Sequence, residues 1–328
     1  MSSNIKEQSR VFAEAHIVRS FSELLITLTG YCVCVYFLYL SYINQLWLLY
    51  VPVCLIGSFF MIKIFALLHD CSHGSMFKQQ YLNVAVGRLL SLFLTVPFAS
   101  WKAEHDEHHS HVVDMEKISY GDIPLYTVEQ YKNLPRYKQI VYALFRQPLL
   151  FLFLSPFLYF FIKSRIPAIF TPKVLVSVFA TNIVVACIYL PLFWYFGFWT
   201  VVFVFAPAAY IGGMIGVVLF YLQHDYPEAQ WFTTENWQYE HASLQGSSLI
   251  RLPAPLEWFS HAIGYHHIHH LNSKIPGYRL RECFEAVPEF RDVTPLSWRD
   301  VKEAFYLKLW SYEKNRFVRF SEIGDLKS

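Results

Sequence analysis

The chain has 328 residues, of which 55% are hydrophobic and only 16% are charged. A soluble domain is about one quarter charged, so this composition favours a membrane protein. The formal net charge of +2 is too small to indicate a nucleic-acid partner. The six cysteines lie mostly in apolar runs without CxxC spacing, which indicates buried thiols rather than disulfides or a zinc ribbon.

The first sixteen residues mix acids and bases and contain no cleavage-site pattern, so we expect no removable signal peptide. Farther on, residues 24–62 and 174–223 contain no Asp, Glu, Lys or Arg. Each stretch is long enough for two helices of about 20 residues joined by a tight turn. Asn44 and Gly197 mark the turns. The sequence therefore predicts four transmembrane helices in two hairpins, over about residues 24–68 and 174–223.

Two shorter apolar stretches are predicted to lie at the membrane interface or to insert halfway. Residues 82–100 contain Arg88, and residues 147–162 contain Pro148 and Pro156. Neither stretch has the length and the absence of charge that a spanning helix needs.

Positive charges predict the orientation of the chain. Three Lys and Arg residues precede the first hairpin, 11 lie within residues 69–173, and 12 follow residue 223. By the positive-inside rule, both termini and the middle section are cytoplasmic. The predicted architecture is an all-α integral membrane domain over residues 1–328, with a cytosolic helical cap formed by residues 69–173 and 224–328.

Clustered histidines are the most informative motif. "HDCSH" follows the second predicted helix, "HDEHH" lies in the middle section, and "HHIHH" follows the fourth helix. Residues at i, i+3 and i+4 share one face of a helix, so each box projects two or three imidazoles in one direction. The eight candidate ligands are His69, His73, His105, His108, His109, His266, His269 and His270.

Eight imidazoles exceed the four ligands of a single zinc-type site, so the sequence predicts a dimetal site. Imidazole binds Fe, Zn, Cu and Ni alike, so the ligand type alone does not select the metal. His224, at the end of the fourth helix, is a ninth candidate ligand. His241 has no spacing that ties it to another ligand. His267 is predicted to lie outside the first coordination sphere.

Metal-binding histidines usually donate their second ring N–H to an acceptor. The candidate acceptors interleaved with the boxes are Asp70, Asp106, Glu107 and Asp225, and His241 is a further candidate for the outer sphere. His16, His111 and His261 are expected to be ordinary residues.

The boxes "HDCSHGS", "HDEHH" and "HHIHH", in this order around two hydrophobic hairpins, resemble the integral membrane fatty acid desaturase family. The segments "GDIPLYTVEQY", "YLQHDYP", "LQGSS" and "GYHHIHHLNSKIPGYRL" are similar to acyl-lipid omega-6 (delta-12) desaturases of bacteria and plants. The resemblance covers about residues 60–290. It carries the family's ligand roles onto the eight box histidines and onto His224.

The resemblance implies a non-haem centre of two Fe ions that uses O₂ and two electrons to remove two hydrogens from a fatty acyl chain in a membrane lipid. It also implies a separate electron donor of the ferredoxin or cytochrome b5 type, because no "HPGG"-like haem motif occurs in this chain. The absence of a targeting peptide and of a fused donor domain favours a bacterial inner membrane.

Two alternatives stay open from the residues alone. A membrane di-iron hydroxylase or ketolase acting on another lipid would carry similar boxes, and only its product would differ. A metal transporter or sensor would place ionisable ligands inside the spanning helices. The two uncharged stretches contain no histidine, which argues against transport.

Overall fold

A computed structural model describes residues 2–325 as an almost entirely helical protein. Its α-helices are α1 Ser2–Ser9, α2 Ile17–Ile43, α3 Trp47–His73, α4 Gln80–Leu94, α5 Phe98–Ser110, α6 Val128–Asn133, α7 Arg136–Phe145, α8 Pro148–Phe157, α9 Pro172–Phe196, α10 Phe198–His224, α11 Tyr239–Gln245, α12 Ala254–Phe259, α13 His266–Leu271, α14 Gly277–Ala286 and α15 Trp298–Ala304. A two-stranded antiparallel sheet, β1 Leu309–Ser311 and β2 Arg316–Val318, follows α15.

The four predicted transmembrane helices form the two predicted hairpins. Helices α2 and α3 are joined by a turn that begins at Asn44, and α9 and α10 are joined at Gly197. Gly197 adopts φ +84, a conformation that costs a glycine little, so the chain reverses there within one residue. The mean hydropathy of each helix satisfies the requirement for a membrane span. The fold is therefore a multi-pass helical membrane protein.

The helices extend beyond the uncharged stretches. Helix α2 begins at Ile17 and α3 continues to His73, so charged residues lie inside both. Lys63 of α3 and Glu23 of α2 form a buried ion pair of 2.8 Å. Pairing lowers the cost of burying the two charges, which allows the helices to run past the point where the composition changes.

A fifth helix is also long and apolar enough to cross a membrane, one more than the four predicted. Helix α8 continues through a π-helical turn, Leu158–Ile162, and a 3₁₀ turn, Lys163–Arg165, to give 18 residues. Pro156 removes a main-chain donor and the π turn follows at once, so the proline alters the helix without ending it.

Both ends of this fifth helix are tied to histidine-bearing segments. Arg146, just before α8, bonds Asp225 at 2.8 Å, and Asp225 follows His224. Lys163, at the other end, lies 3.0 Å from Glu104 on α5. Both ends of this segment are therefore anchored beside helices that carry histidines.

Helices α4 and α5 form a bent pair rather than one straight span. Their axes differ by 103° across the break between Leu94 and Phe98. The pair starts just after His73, and α5 returns His105 to a ring nitrogen distance of 3.0 Å from His73. The α4–α5 pair thus brings the histidines of α5 next to those at the end of α3.

The remaining elements form a cap over the ends of the long helices. Its apolar core includes Ile268, Leu280 and Phe290, with the N-terminal Phe12 packed against them. A second apolar cluster centres on the fully buried Trp310 of β1. The main-chain N–H of Trp310 donates to the carbonyl of Tyr126 at 3.1 Å, so the small sheet is bonded to the segment that follows α5.

Candidate metal centre

Helix α3 carries the first two histidines, which lie one helical turn apart. His69 and His73 are i and i+4, so their rings project from the same face. The helix ends directly after His73, because Gly74 adopts a left-handed conformation with φ +67 and its N–H bonds back to the last turn. Both rings are buried, at 5% and 7% exposure.

Helices α5 and α13 each carry three further candidate ligands, and α10 ends on His224. The box on α5 contains His105, His108 and His109, and the box on α13 contains His266, His269 and His270. The structure brings all nine predicted candidate ligands together in the protein interior.

The nine side chains divide into two groups. In each group, the candidate ligand atoms lie within 4.8 Å of one another. Histidine group one has five members: His69, His73, His105, His109 and His269. Histidine group two has four members: His108, His224, His266 and His270.

The division follows from helical phase. Helix α5 gives residues i and i+4 of its box to group one and the residue at i+3 to group two. Helix α13 does the reverse, with i and i+4 in group two and i+3 in group one. The groups therefore adjoin, and the rings of His109 and His270 stack across the boundary with centroids 4.1 Å apart. The histidine boxes therefore form two neighbouring candidate metal sites rather than one.

Buried neighbouring imidazoles favour the neutral form. Burial, followed by the proximity of the other imidazoles, holds the pKa of His266, His269 and His270 well below the usual range. A neutral imidazole offers a lone pair, and metals bind that form. These three imidazoles are therefore ready to bind cations without losing protons near neutral pH.

The spacing of the ring nitrogens fits metal coordination. Nε2 of His109 is 3.1 Å from Nε2 of both His105 and His269. In group two, Nε2 of His266 is 3.1 Å from that of His224 and 3.0 Å from that of His270. Imidazole binds divalent first-row metals at about 2.1 Å, so two ligands at a right angle stand about 3.0 Å apart. Both groups are consistent with a dimetal site.

Two hydrogen bonds orient members of group two from the cap. His108 Nδ1 makes a short contact with the carboxylate of Asp122, which also accepts the N–H of Ser119 at 2.6 Å. His224 Nδ1 lies 2.9 Å from the carbonyl oxygen of Gly246. Burial alone would raise the pKa of Asp122, but His108 and the Ser119 hydrogen bond outweigh it and lower that pKa. Asp122 was not among the predicted acceptors, although it lies in the "GDIPLY" segment of the family resemblance.

A buried network lies behind group one. Asp70 is 3.7 Å from Nδ1 of His69, and its other oxygen is 3.1 Å from Nε2 of His261. The opposite nitrogen of His261 is 2.8 Å from the ammonium of Lys63, which pairs in turn with Glu23. Asp70 thus lies close behind His69, and its predicted outer-sphere role stays a prediction. His261, which was expected to have no role at the site, connects Asp70 to Lys63 of the membrane helix α3.

The other predicted outer residues are placed elsewhere. Asp106 is half exposed and pairs with Lys102 at 2.7 Å, so its assignment to the outer sphere is wrong. Asp225 bonds Arg146, and Glu107 is half-buried with its Oε2 unpaired within residues 2–325. His241 is exposed and rests against Phe232, 5.3 Å between ring centroids, outside both groups.

His267 agrees with its predicted position outside the first sphere. Its ring is fully buried between Phe284 and Phe290 of the cap core, with centroids 6.2 Å and 5.9 Å away. Helix α13 therefore uses His267 on its packing side and its other histidines on the side that faces the two groups.

A large apolar cavity opens onto both groups. Its volume is about 1010 Å³, and it runs among α3, α9 and α10. His69 and His105 of group one and His266 of group two line its wall, and Trp101 lies beside them. Trp101 stacks on His105 with centroids 4.6 Å apart, which fixes the ring plane of that ligand candidate. An apolar molecule in this cavity would contact the histidine centre directly.

The fold and the site together define a multi-pass membrane protein with a buried, histidine-rich centre of the dimetal kind beside an apolar cavity. Comparison with known proteins gives the family. Residues 45–301 match the family described as Fatty acid desaturase.

Named relatives agree with this match. The chain is 31% identical to a fatty acid desaturase of Bacillus subtilis, over 97% of this chain and 91% of the relative. It is 27% identical to an sn-1 oleoyl-lipid 12-desaturase of Picosynechococcus sp., over 78% and 75% of the two chains. It is also 27% identical to an sn-1 acyl-lipid omega-3 desaturase (ferredoxin) of Synechocystis sp., over 81% and 75%. The chain belongs to the fatty acid desaturase family and is a membrane-bound oxidoreductase that desaturates fatty acids at a histidine-ligated metal centre.

Proposed function

We propose that this enzyme is an acyl-lipid desaturase of the omega-6 (delta-12) type, which introduces a second double bond into a lipid-linked acyl chain. The observation that carries the proposal is the single apolar cavity whose wall includes His69 and His105 of group one and His266 of group two. A lipid acyl chain is the apolar substrate that this shape accommodates. Relatives named as oleoyl-lipid 12-desaturases, at 27% identity and below, support the position of the new bond.

The proposed cofactor is a pair of iron ions, one held by each histidine group. When bound, the irons supply the oxidising power that removal of hydrogen from an unactivated methylene requires. The residues around them hold the imidazoles, exclude water and present the acyl chain. The balanced reaction converts CH₂–CH₂, O₂, two electrons and two protons into CH=CH and two water molecules.

The electrons are proposed to come from a separate donor protein of the ferredoxin or cytochrome b5 type. One relative is named as a ferredoxin-linked omega-3 desaturase, which supports the first of these. The proposed arrangement is a single domain in which α2, α3, α9 and α10 cross the membrane. Both termini and the histidine groups face the cytoplasm, where a soluble donor would reach them, and the membrane is proposed to be a bacterial inner membrane.

Gas chromatography–mass spectrometry of total fatty acids from a host that expresses the full chain tests this function. His269→Ala removes a member of group one, and His241→Ala is the matched control because His241 lies outside both groups. We expect a diene in the wild type and in the His241 variant, and none in the His269 variant. A hydroxylated product would instead assign the chain to the membrane hydroxylases. A single new double bond at another position would contradict the delta-12 assignment.

A further inference from the structure

One wall of the apolar cavity carries positive charge. Lys163 and Arg165, from the end of the α8 segment, line the cavity together with Asn182 of α9. Lys163 is compensated, because its ammonium lies 3.0 Å from the carboxylate of Glu104. Within residues 2–325, no carboxylate pairs with Arg165. An uncompensated cation therefore remains at this wall.

The guanidinium of Arg165 is held at one side and unpaired at the other. Its Nη1 donates to Oδ1 of Asn182 at 2.8 Å, and Nδ2 of Asn182 donates back to the Arg165 carbonyl at 3.4 Å. Its Nε and Nη2 are shielded from solvent and have no hydrogen-bond partner in the described part of the chain. Asn182 thus holds the guanidinium of Arg165 in place but leaves two of its nitrogens without an acceptor.

The unpaired nitrogens form the side of a guanidinium that binds oxyanions. Nε–H and the adjacent Nη2–H point in parallel, so one phosphate or carboxylate accepts both hydrogen bonds at once. Leaving such donors buried and unpaired costs several times what a made hydrogen bond contributes. The described part of the chain supplies no acceptor for this edge, and a ligand from outside the chain would satisfy both donors.

We infer that the free edge of Arg165 binds the oxyanionic head of the acyl substrate while the hydrocarbon chain lies in the apolar cavity against the histidine groups. The inference rests on the proposed function, since it takes the cavity to be the substrate site. A glycerophospholipid phosphate and a fatty acid carboxylate present the same chemistry to the guanidinium. Either would sit beside Arg165, and a neutral ester would leave its edge unpaired.

Binding to the purified, metal-loaded full-length protein in detergent micelles tests this. Three probes share the oleoyl chain: dioleoyl phosphatidic acid, oleate and methyl oleate. In the wild type, we expect at least one anionic probe to bind about tenfold more tightly than methyl oleate. Preference for phosphatidic acid would identify a phospholipid head, and preference for oleate a free fatty acid.

Arg165→Gln is expected to abolish the preference while leaving the affinity for methyl oleate unchanged. Lys173→Gln, at an exposed position at the start of α9, removes the same charge outside the cavity and should keep the preference. Arg165→Lys keeps the charge but lacks the paired edge, so its preference should be intermediate. Metal content and gel filtration report whether each variant is folded.

Equal affinity of the wild type for all three probes would overturn the inference, as would a preference that survives Arg165→Gln. The measurement is independent of turnover. A chain that shows the Arg165-dependent preference but forms no double bond in the host would contradict the proposed function alone. A chain that forms the diene but binds methyl oleate as tightly as the acids would contradict this inference alone.

Discussion

Histidine group one and histidine group two are held in different ways. Group one has a buried network behind it that reaches from Asp70 through His261 and Lys63 to the membrane helices. Group two is oriented from the cap, by the carboxylate of Asp122 and the carbonyl of Gly246. The network behind group one thus reaches into the transmembrane bundle, whereas the contacts that orient group two come from the cap, although each group takes histidines from both parts of the molecule. Substitutions on the two sides should therefore have different consequences.

The largest effect is expected from removing a member of either group. His109→Ala and His266→Ala should both abolish turnover and lower the bound metal by at least one ion per chain, because each ring is buried within its group. Metal analysis and fatty acid profiles measure this. His241→Ala serves as the control. Full metal content in both variants would exclude a dimetal role for the groups.

Breaking the network behind group one should cost stability. Lys63→Met leaves Glu23 and the Asp70–His261 pair without their cation, and removal of one partner of a buried ion pair costs about 3 kcal/mol. Denaturation in detergent, followed by circular dichroism, measures the loss. The double variant Glu23→Gln with Lys63→Met should recover part of it. Equal stability of Lys63→Met and the wild type would show that the network is not needed.

The corresponding test on the cap side is Asp122→Asn. This change removes the charge that orients His108, and loss of an outer partner of a metal-binding histidine lowers metal affinity by about 10- to 100-fold. Competition with a chelator should show one weakened ion and one unchanged ion. Asp106→Asn, at an exposed acid on α5, is the matched control. Equal weakening of both ions would mean that the groups do not respond separately.

The last effect concerns pH and the docking of the cap, and it appears only on going to alkaline conditions. Lys308 donates to the carbonyls of Arg146 and Phe305, and burial next to Arg146 lowers its pKa to about 7. The unfolded chain, with a value near 10.5, binds more protons between these limits. Stability should therefore rise with pH from about 7 to 10.5.

Lys308→Met should lose this part of the pH dependence. Apparent unfolding temperatures of the wild type and of the variant, compared at neutral and at alkaline pH, measure it. The wild type should gain more on going to alkaline pH than the variant does. A parallel response of the two proteins would refute the role of Lys308.

Much of the fold follows from composition and spacing. The uncharged stretches locate four long helices, and the turns at Asn44 and Gly197 fall where expected. The ends of the helices were less predictable. Lys63 and Asp70 lie inside α3 because tertiary partners compensate them, and those partners are far away in the sequence. Pro156 counted against a long helix over residues 147–162, yet the π turn continues the helix past it.

The candidate site was predictable in membership but not in arrangement. Spacing indicates the eight box histidines and the end of the fourth helix indicates His224, whereas their division into two groups depends on how α5 and α13 are placed. Asp106 pairs with Lys102 one turn earlier on the same helix, a local ion pair that competes with the predicted acceptor role. Asp122 lies 14 residues after His108 in a non-helical segment, where no periodicity connects the two.

The contribution of α13 to both groups has a consequence for the order of biosynthesis. Group one takes its last member from His269, and group two takes its last member from His270. Neither group is complete while the ribosome is still translating the segments before α13, although the hairpins have already emerged. Translation of the two consecutive residues His269 and His270 then completes both histidine groups. Cofactor acquisition is thus deferred to a late and nearly simultaneous event, and a chain truncated before α13 would leave both sets of ligands unfinished.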